Sequence, residues 1–166
     1  PIDGTKEFVA ERGEFTINIG LIDDGVPVAG AVYAPAVDRL FAGAAGLGAF
    51  EASLANPARR PIVCARPDND ALVVVASRSH STPDTEAFIA ANKVAKLTNA
   101  GSSMKFCLLA AGEADLYPRF GPTMEWDTAA AHAIALAAGR KVIAAGTGAP
   151  LVYNKESLLN PFFFVE

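Results

Sequence analysis

The first five residues, Pro1-Ile2-Asp3-Gly4-Thr5, place an acid, a glycine and a hydroxyl in three consecutive positions. An Asp carboxylate here can hold a divalent cation while the next two backbone N–H groups point at a phosphate, because Gly permits the φ > 0 geometry of an anion-binding nest. A plain Asp-Gly turn is the simpler account of the same residues. The second acid of interest is Asp127, which follows Glu125-Trp126 and opens an alanine-rich stretch. At a helix N-terminus its negative charge is favoured, and a metal or phosphate can be held there; an ordinary capping or first-turn acid has the same appearance.

Three further clusters carry donors or cations: Ser77-Arg78-Ser79-His80, Gly101-Ser102-Ser103-Met104-Lys105 and Tyr117-Pro118-Arg119-Phe120-Gly121-Pro122. Each falls at the end of an expected strand or the start of an expected helix, where open α/β sheets bind ligands. Taken singly they also have blander readings. His80 reads equally as a surface histidine, Lys105 as a solvated cation and Arg119 as an ion-pair partner. His132, inside the alanine-rich helix, reads as a core or half-exposed residue, and it forms no HExxH pair with the distant His80. The glycines between Gly43 and Gly48 are followed by no helical pattern, so they read as a hairpin turn and not as a nucleotide loop.

The elements that must position these residues follow from local signals. Glu14 to Asp23 and Val26 to Ala34 are rich in β-branched residues around Asp24-Gly25, which predicts a hairpin. Two short strands, Arg39 to Ala42 and Gly48 to Glu51, are expected next. The Pro- and Arg-rich stretch from Asn56 to Asp70 reads as a linker, dividing residues 1–56, the remainder of an N-terminal α+β subdomain of hairpins, from a C-terminal α/β subdomain over 71–166. Ala71 to Ser77 is a continuous apolar run, expected as a strand covered on both faces. Thr82-Pro83 then signals a helix to about Asn92, with acids Asp84 and Glu86 in its first turn. Val94 to Thr98 is a further strand. Ser102 or Ser103 is expected to cap a helix to about Ala111, Ala114 to Tyr117 to form a strand, and Thr123 to Gly139 a helix ending at Gly139. Lys141 to Ala144 and the apolar tail Asn160 to Val165 complete the sheet. The alternation predicts an α/β layered architecture.

With 166 residues and 51% hydrophobic content the chain can bury a substantial core. Its 14 Lys and Arg against 18 Asp and Glu leave a net charge of −4, which argues against nucleic acid or an anionic membrane surface as partner. Cys64 and Cys107 lack CxxC spacing, which speaks against zinc and for buried thiols in a reducing compartment, with the cytoplasm as default. No apolar run approaches the ~18 residues of a membrane span.

Pro1-Ile2-Asp3-Gly4-Thr5 resembles the Asp-Pro-Ile/Leu-Asp-Gly-Thr signature of the inositol monophosphatase superfamily, and Trp126-Asp127-Thr128-Ala129-Ala130 resembles its second signature, Trp-Asp-x-Ala-Ala-Gly. Lys6-Glu7-Phe8, the cluster at Ser77 to His80, Gly101 to Cys107, Leu116 to Thr123 and Leu159-Asn160-Pro161-Phe162 are similar to the CysQ branch, the 3′(2′),5′-bisphosphate nucleotidases. The resemblance implies an inositol monophosphatase-like α/β sandwich, and a Mg²⁺-dependent, lithium-sensitive phosphatase with two or three ions per site. Its reaction would convert 3′-phosphoadenosine 5′-phosphate to AMP and phosphate in sulfur assimilation. It further implies Asp3, Asp127 and the Ile2 carbonyl as metal ligands, Gly4 and Thr5 N–H groups as donors to the scissile phosphate, and the Thr5 hydroxyl as orienting the nucleophilic water. His80, Ser102, Lys105 and Arg119 fall at positions used around the nucleotide and its second phosphate, for which Arg offers a planar fork of donors.

The expected partner is a small nucleotide bisphosphate and no nucleic acid, with peripheral association with the inner membrane as an option and either a monomer or a homodimer. Alternatives are an inositol monophosphatase or other sugar-phosphate phosphatase, and an inactive nucleotide-binding fragment. Two departures bear on this. The first signature Asp would immediately precede Pro1 and a metal-binding Glu would lie further upstream, so both fall outside this sequence, which, lacking a Met before Pro1, is expected to be a C-terminal portion. Ala131 also stands where the second signature has Gly, a small change inside a helix unless the glycine served a close approach.

Overall fold

A computed structural model describes residues 2–4, 8–9, 11, 13–76, 82–101 and 103–166. The first part folds as a six-stranded antiparallel meander in chain order: β1 (Ile2–Asp3), β2 (Thr16–Asp23), β3 (Val26–Ala34), β4 (Arg39–Ala44), β5 (Gly48–Ala52) and β6 (Arg60–Ile62). In the second part β7 (Leu72–Ala76) pairs in parallel with β8 (Val94–Asn99), and α1 (Pro83–Ala91) makes the crossover. After α2 (Met104–Ala110), β9 (Tyr117–Arg119), α3 (Glu125–Ala137), β10 (Val142–Ala144) and β11 (Phe163–Val165) follow, with the three strands ordered β10-β11-β9, all antiparallel. This is the mixed α/β layering that the alternation of elements predicts.

One close approach organises the molecule. Gly20, Gly30 and Gly43 stand opposite one another across β2, β3 and β4. An added Cβ at Gly30 would lie 2.0 Å from the Ala130 carbonyl oxygen, and one at Gly20 would lie 2.9 Å from the Ala130 nitrogen. The three glycines form a trough into which the backbone of α3 settles, its alanines supplying the only bulk the gap admits. On the other side, α3 packs on α2 and reaches β10. The core is therefore continuous, running from Val32 and Phe41 of the meander through Phe106, Leu109 and Ile134 to Phe163 and Val165. Ala131 lies fully buried in this cluster.

Local signals mark most elements. The Asp24-Gly25 hairpin, the turn between β4 and β5, and α3 ending ahead of Gly139 are where the sequence puts them. Thr82 caps α1, its hydroxyl accepting from the Thr85 N–H at 3.2 Å. Three expectations need correction. Residues 60–62, read as linker, form β6, whose Pro61 is tolerated because the strand lies at the sheet edge. The strand expected over Ala114 to Tyr117 begins only at Tyr117, because Asp115 and Leu116 turn to β7: Asp115 Oδ2 accepts from the Val73 N–H at 2.8 Å and the Leu116 carbonyl from Val75 N–H at 2.9 Å. Ser103 precedes α2, yet its hydroxyl makes no cap bond and turns to β2 instead. Of the two free thiols, Cys107 is fully buried, which raises its pKa, whereas Cys64 is partly exposed. Among the described residues no helix is long and apolar enough to cross a membrane.

Candidate active site

The site is assembled from β1, the turn entering α2, β9 and the first turn of α3. Asp3 is held in register opposite Thr16 on β2. Beneath that pair runs a closed ring of hydrogen bonds. Ser103 Oγ donates to Asn18 Oδ1 at 2.6 Å, Asn18 Nδ2 donates to Thr16 Oγ1 at 3.0 Å, and Thr16 Oγ1 lies 2.9 Å from Ser103 Oγ. With one donor and one acceptor spent by each residue, the ring fastens the start of α2 to the strand beside Asp3. Gly4 follows at φ +88°, in the region that glycine enters without strain, and its carbonyl accepts from the Phe8 N–H at 2.9 Å.

Asp127 comes from the opposite direction. It occupies the third position of α3, and its Oδ2 accepts from the Met124 N–H at 2.8 Å. The capping reading of this acid is therefore correct for one of its oxygens. Its pKa is raised, first by burial and then by the nearby charge of Asp3, against the Met124 N–H and the Arg119 charge, which lower it. Two acids from far-separated parts of the sequence thus share one field, an arrangement that a divalent cation relieves. Among the described residues no group of three His, Cys, Asp or Glu side chains is placed to hold a metal.

Arg119 completes the cluster, with Nε donating to the Gly121 carbonyl at 3.2 Å and Nη2 to the Pro122 carbonyl at 2.9 Å. These bonds fix the guanidinium over its own loop. Tyr117, which sequence reasoning did not single out, joins the acids to the cations. Burial pushes its phenol up to about 12, with Arg119 opposing the rise and the charges of Asp3 and Asp127 adding to it. Lys105 is buried, its Nζ donating to the Ala100 carbonyl at 3.1 Å and lying 5.4 Å from the centre of the Tyr117 ring. It is an interior cation, not the solvated one that the sequence alone allowed.

The structure therefore brings together Asp3, Asp127 and Arg119, with Gly4 beside Asp3 and Lys105 reaching the group through Tyr117. Ile2 contributes as part of the β1 backbone. Thr5, His80 and Ser102 lie outside the described residues. His132 is buried against Tyr153, its Nδ1 2.8 Å from the phenol oxygen, and takes no place in the cluster. A cavity of about 620 Å³, floored by Leu72, Phe88, Leu116, Ile143 and Phe164, is lined by none of the expected site residues. Thr16, Asn18 and Tyr117 escaped sequence reasoning; Tyr117 alone had a signal, as the neighbour of Arg119 in a cluster already singled out.

Comparison with known proteins gives the relatives of this chain. The sequence is 46% identical over 166 residues to the 3′(2′),5′-bisphosphate nucleotidase CysQ of Escherichia coli K12, covering 99% of this chain and 65% of that protein. The chain thus spans about two thirds of the length of such relatives. The crystal structure of CysQ from Bacteroides thetaiotaomicron, described as a bacterial member of the inositol monophosphatase family, superposes with a TM-score of 0.88 at 48% identity, over 100% of this chain and 67% of that one. Mycobacterium tuberculosis SuhB superposes with a TM-score of 0.76 at 27% identity, over 99% and 63% of the two chains. The sequence model of the inositol monophosphatase family matches residues 1–161, a span that holds both candidate acids, Arg119 and the whole of α3. The chain belongs to that family.

Proposed function

We propose that the intact protein is a Mg²⁺-dependent phosphatase that hydrolyses the 3′-phosphate of 3′-phosphoadenosine 5′-phosphate to give AMP and phosphate, in sulfur assimilation. The observation that carries this reading is the convergence of Asp3, Asp127 and Arg119 on one site in a chain 46% identical to CysQ nucleotidases. The residues fit a hard cation: two carboxylates that feel each other's charge and a strand carbonyl at Ile2 are the kind of oxygen donors Mg²⁺ takes. Its remaining ligands are then water, substrate oxygens or residues outside the described set. When bound, the cation supplies charge for the developing oxyanions and a water made acidic by coordination.

The chain's own residues do the rest. Asp3 and Asp127 hold the metal side of the phosphate, and the Gly4 and Thr5 N–H groups receive its oxygens. The Thr5 hydroxyl orients the attacking water. As the water oxygen bonds to phosphorus, the bond to the 3′ oxygen breaks, and the proton released by water goes to that leaving oxygen. His80, Ser102 and Arg119 gather the nucleotide and its 5′-phosphate, with Arg119 presenting a guanidinium already braced by two carbonyls. Lys105 contributes its positive charge from the interior. Phosphate release from 3′-phosphoadenosine 5′-phosphate and from inositol 1-phosphate, compared with and without Mg²⁺ on the intact protein, tests the reading. The bisphosphate should be strongly preferred; preference for the inositol ester would overturn the assignment.

A further inference from the structure

We propose that Asn160 is a positioning residue for Asp127, gripping the first turn of α3 through Met124 so that the carboxylate is presented to a divalent cation. The inference rests on the reading of Asp127 as a cation ligand. Asn160 is buried at 4% exposure, on the segment that leads into β11. Its backbone N–H donates to the Thr123 carbonyl at 2.9 Å, and its side-chain Nδ2 donates to the Met124 carbonyl at 3.0 Å, with the Thr123 and Thr128 hydroxyls at 3.2 and 3.1 Å. The Met124 N–H is in turn the donor to Asp127 Oδ2. Both polar backbone groups of Met124 are therefore engaged, the N–H by the candidate ligand's carboxylate and the carbonyl by Asn160 together with the Asp127 N–H at 3.0 Å.

The orientation of the amide shows which bond matters. A carbonyl only accepts, so Nδ2 must face Met124, and this leaves Asn160 Oδ1 buried with no hydrogen-bond partner among the described residues. The amide is held by its donor side, where the bond to the Met124 carbonyl is the shortest of the three contacts. Beside it runs a second chain of bonds that never touches Met124. His132 Nδ1 meets Tyr153 Oη at 2.8 Å, Tyr153 donates to Thr128 Oγ1 at 3.0 Å, and Thr128 donates to the Glu125 carbonyl at 3.2 Å. This chain meets Asn160 at Thr128 Oγ1 but engages neither backbone group of Met124, so Tyr153→Phe, which leaves the Asn160–Met124 bond in place, serves as an internal control.

The test is Mn²⁺ binding to the intact protein without substrate, read by electron paramagnetic resonance, together with thermal unfolding. Asn160→Ala should weaken Mn²⁺ binding by about 10-fold or more, the usual scale for a residue that orients a metal ligand. Asn160→Ser, whose short hydroxyl cannot reach the Met124 carbonyl, should do the same and decides the matter if the alanine variant does not fold. Tyr153→Phe should lower the unfolding midpoint and leave Mn²⁺ affinity unchanged. Wild-type affinity in the folded Asn160 variant, or equal weakening by Tyr153→Phe, overturns the positioning role. If Asp127→Asn abolishes Mn²⁺ binding while Asn160→Ala does not weaken it, the positioning role alone falls. If neither the wild type nor Asp127→Asn binds Mn²⁺, the cation reading of the site falls with it.

Discussion

Asp3 sits on a two-residue strand at the edge of the large sheet, whereas Asp127 sits in the first turn of a 13-residue helix pressed into that sheet's glycine trough. The strand acid is located by backbone register and by the Thr16, Asn18 and Ser103 ring next to it. The helix acid is located by packing along the whole length of α3 and by bonds from the 153–160 segment. One mount is local and polar, the other distributed and largely apolar. Changes remote from the chemistry should therefore reach Asp127 through packing, while Asp3 should respond mainly to its immediate neighbours.

The comparison can be broken at several strengths. Replacing either acid, as Asp3→Asn or Asp127→Asn, should lower phosphatase turnover of the intact protein by about 10²–10³-fold, as expected when one charged group of a preorganised site is lost. Steady-state rates with the bisphosphate check this. Gly30→Ala should destabilise by about 2–3 kcal/mol and depress activity as well, because the new Cβ forces α3 and hence Asp127 off the sheet. Denaturant unfolding beside turnover measures both effects, and loss of stability with full activity would show that the helix mount does not set Asp127. Thr16→Val opens the polar ring beside Asp3 and should cost about 1–2 kcal/mol, with Ser103 and Asn18 left short of a partner.

The last test is a pH slope on the Asp127 side, which leaves stability near neutral pH untouched. Burial lowers the His132 pKa to about 3, below its usual 6.5, so the folded state keeps the ring neutral while the unfolded chain can protonate it. The stability this neutral ring contributes is fully present above pH 6.5 and is lost as pH falls from there toward 3, by up to about 1.4 kcal/mol per unit. Unfolding free energies across that window, for wild type and His132→Phe, should differ in slope by one proton.

The elements whose causes are local were legible in the sequence. The Asp24-Gly25 hairpin, the Thr82-Pro83 helix start and the Asp127 carboxylate at a helix N-terminus each depend on residues within a few positions of one another. What stayed hidden depends on distant partners. Mid-strand glycines at positions 20, 30 and 43 signal a close approach of something, but the helix that fills the trough lies about a hundred residues onward in the chain. Ser103 looked like a cap because its rival partners, Thr16 and Asn18, are on a strand far upstream. A solvated reading of Lys105 could stand beside the substrate-binding one for the same reason, since the Tyr117 ring and Ala100 carbonyl that house it follow from the fold. At the site, both acids could be named from their motifs, while the ring beside Asp3 and the role of Tyr117 could not.

β11 follows both of its neighbours in the chain, yet it is the central strand of its sheet, with β9 on one side and β10 on the other. During synthesis the meander can close as soon as its own hairpins emerge, whereas Tyr117 and Arg119 gain their hydrogen-bonded partner strand only when Phe163–Val165 leave the ribosome. The two acids are thus made early and late, and their cationic neighbour Arg119 takes its place only once β11 is available, so the candidate site is completed by a strand more than forty residues downstream of Arg119.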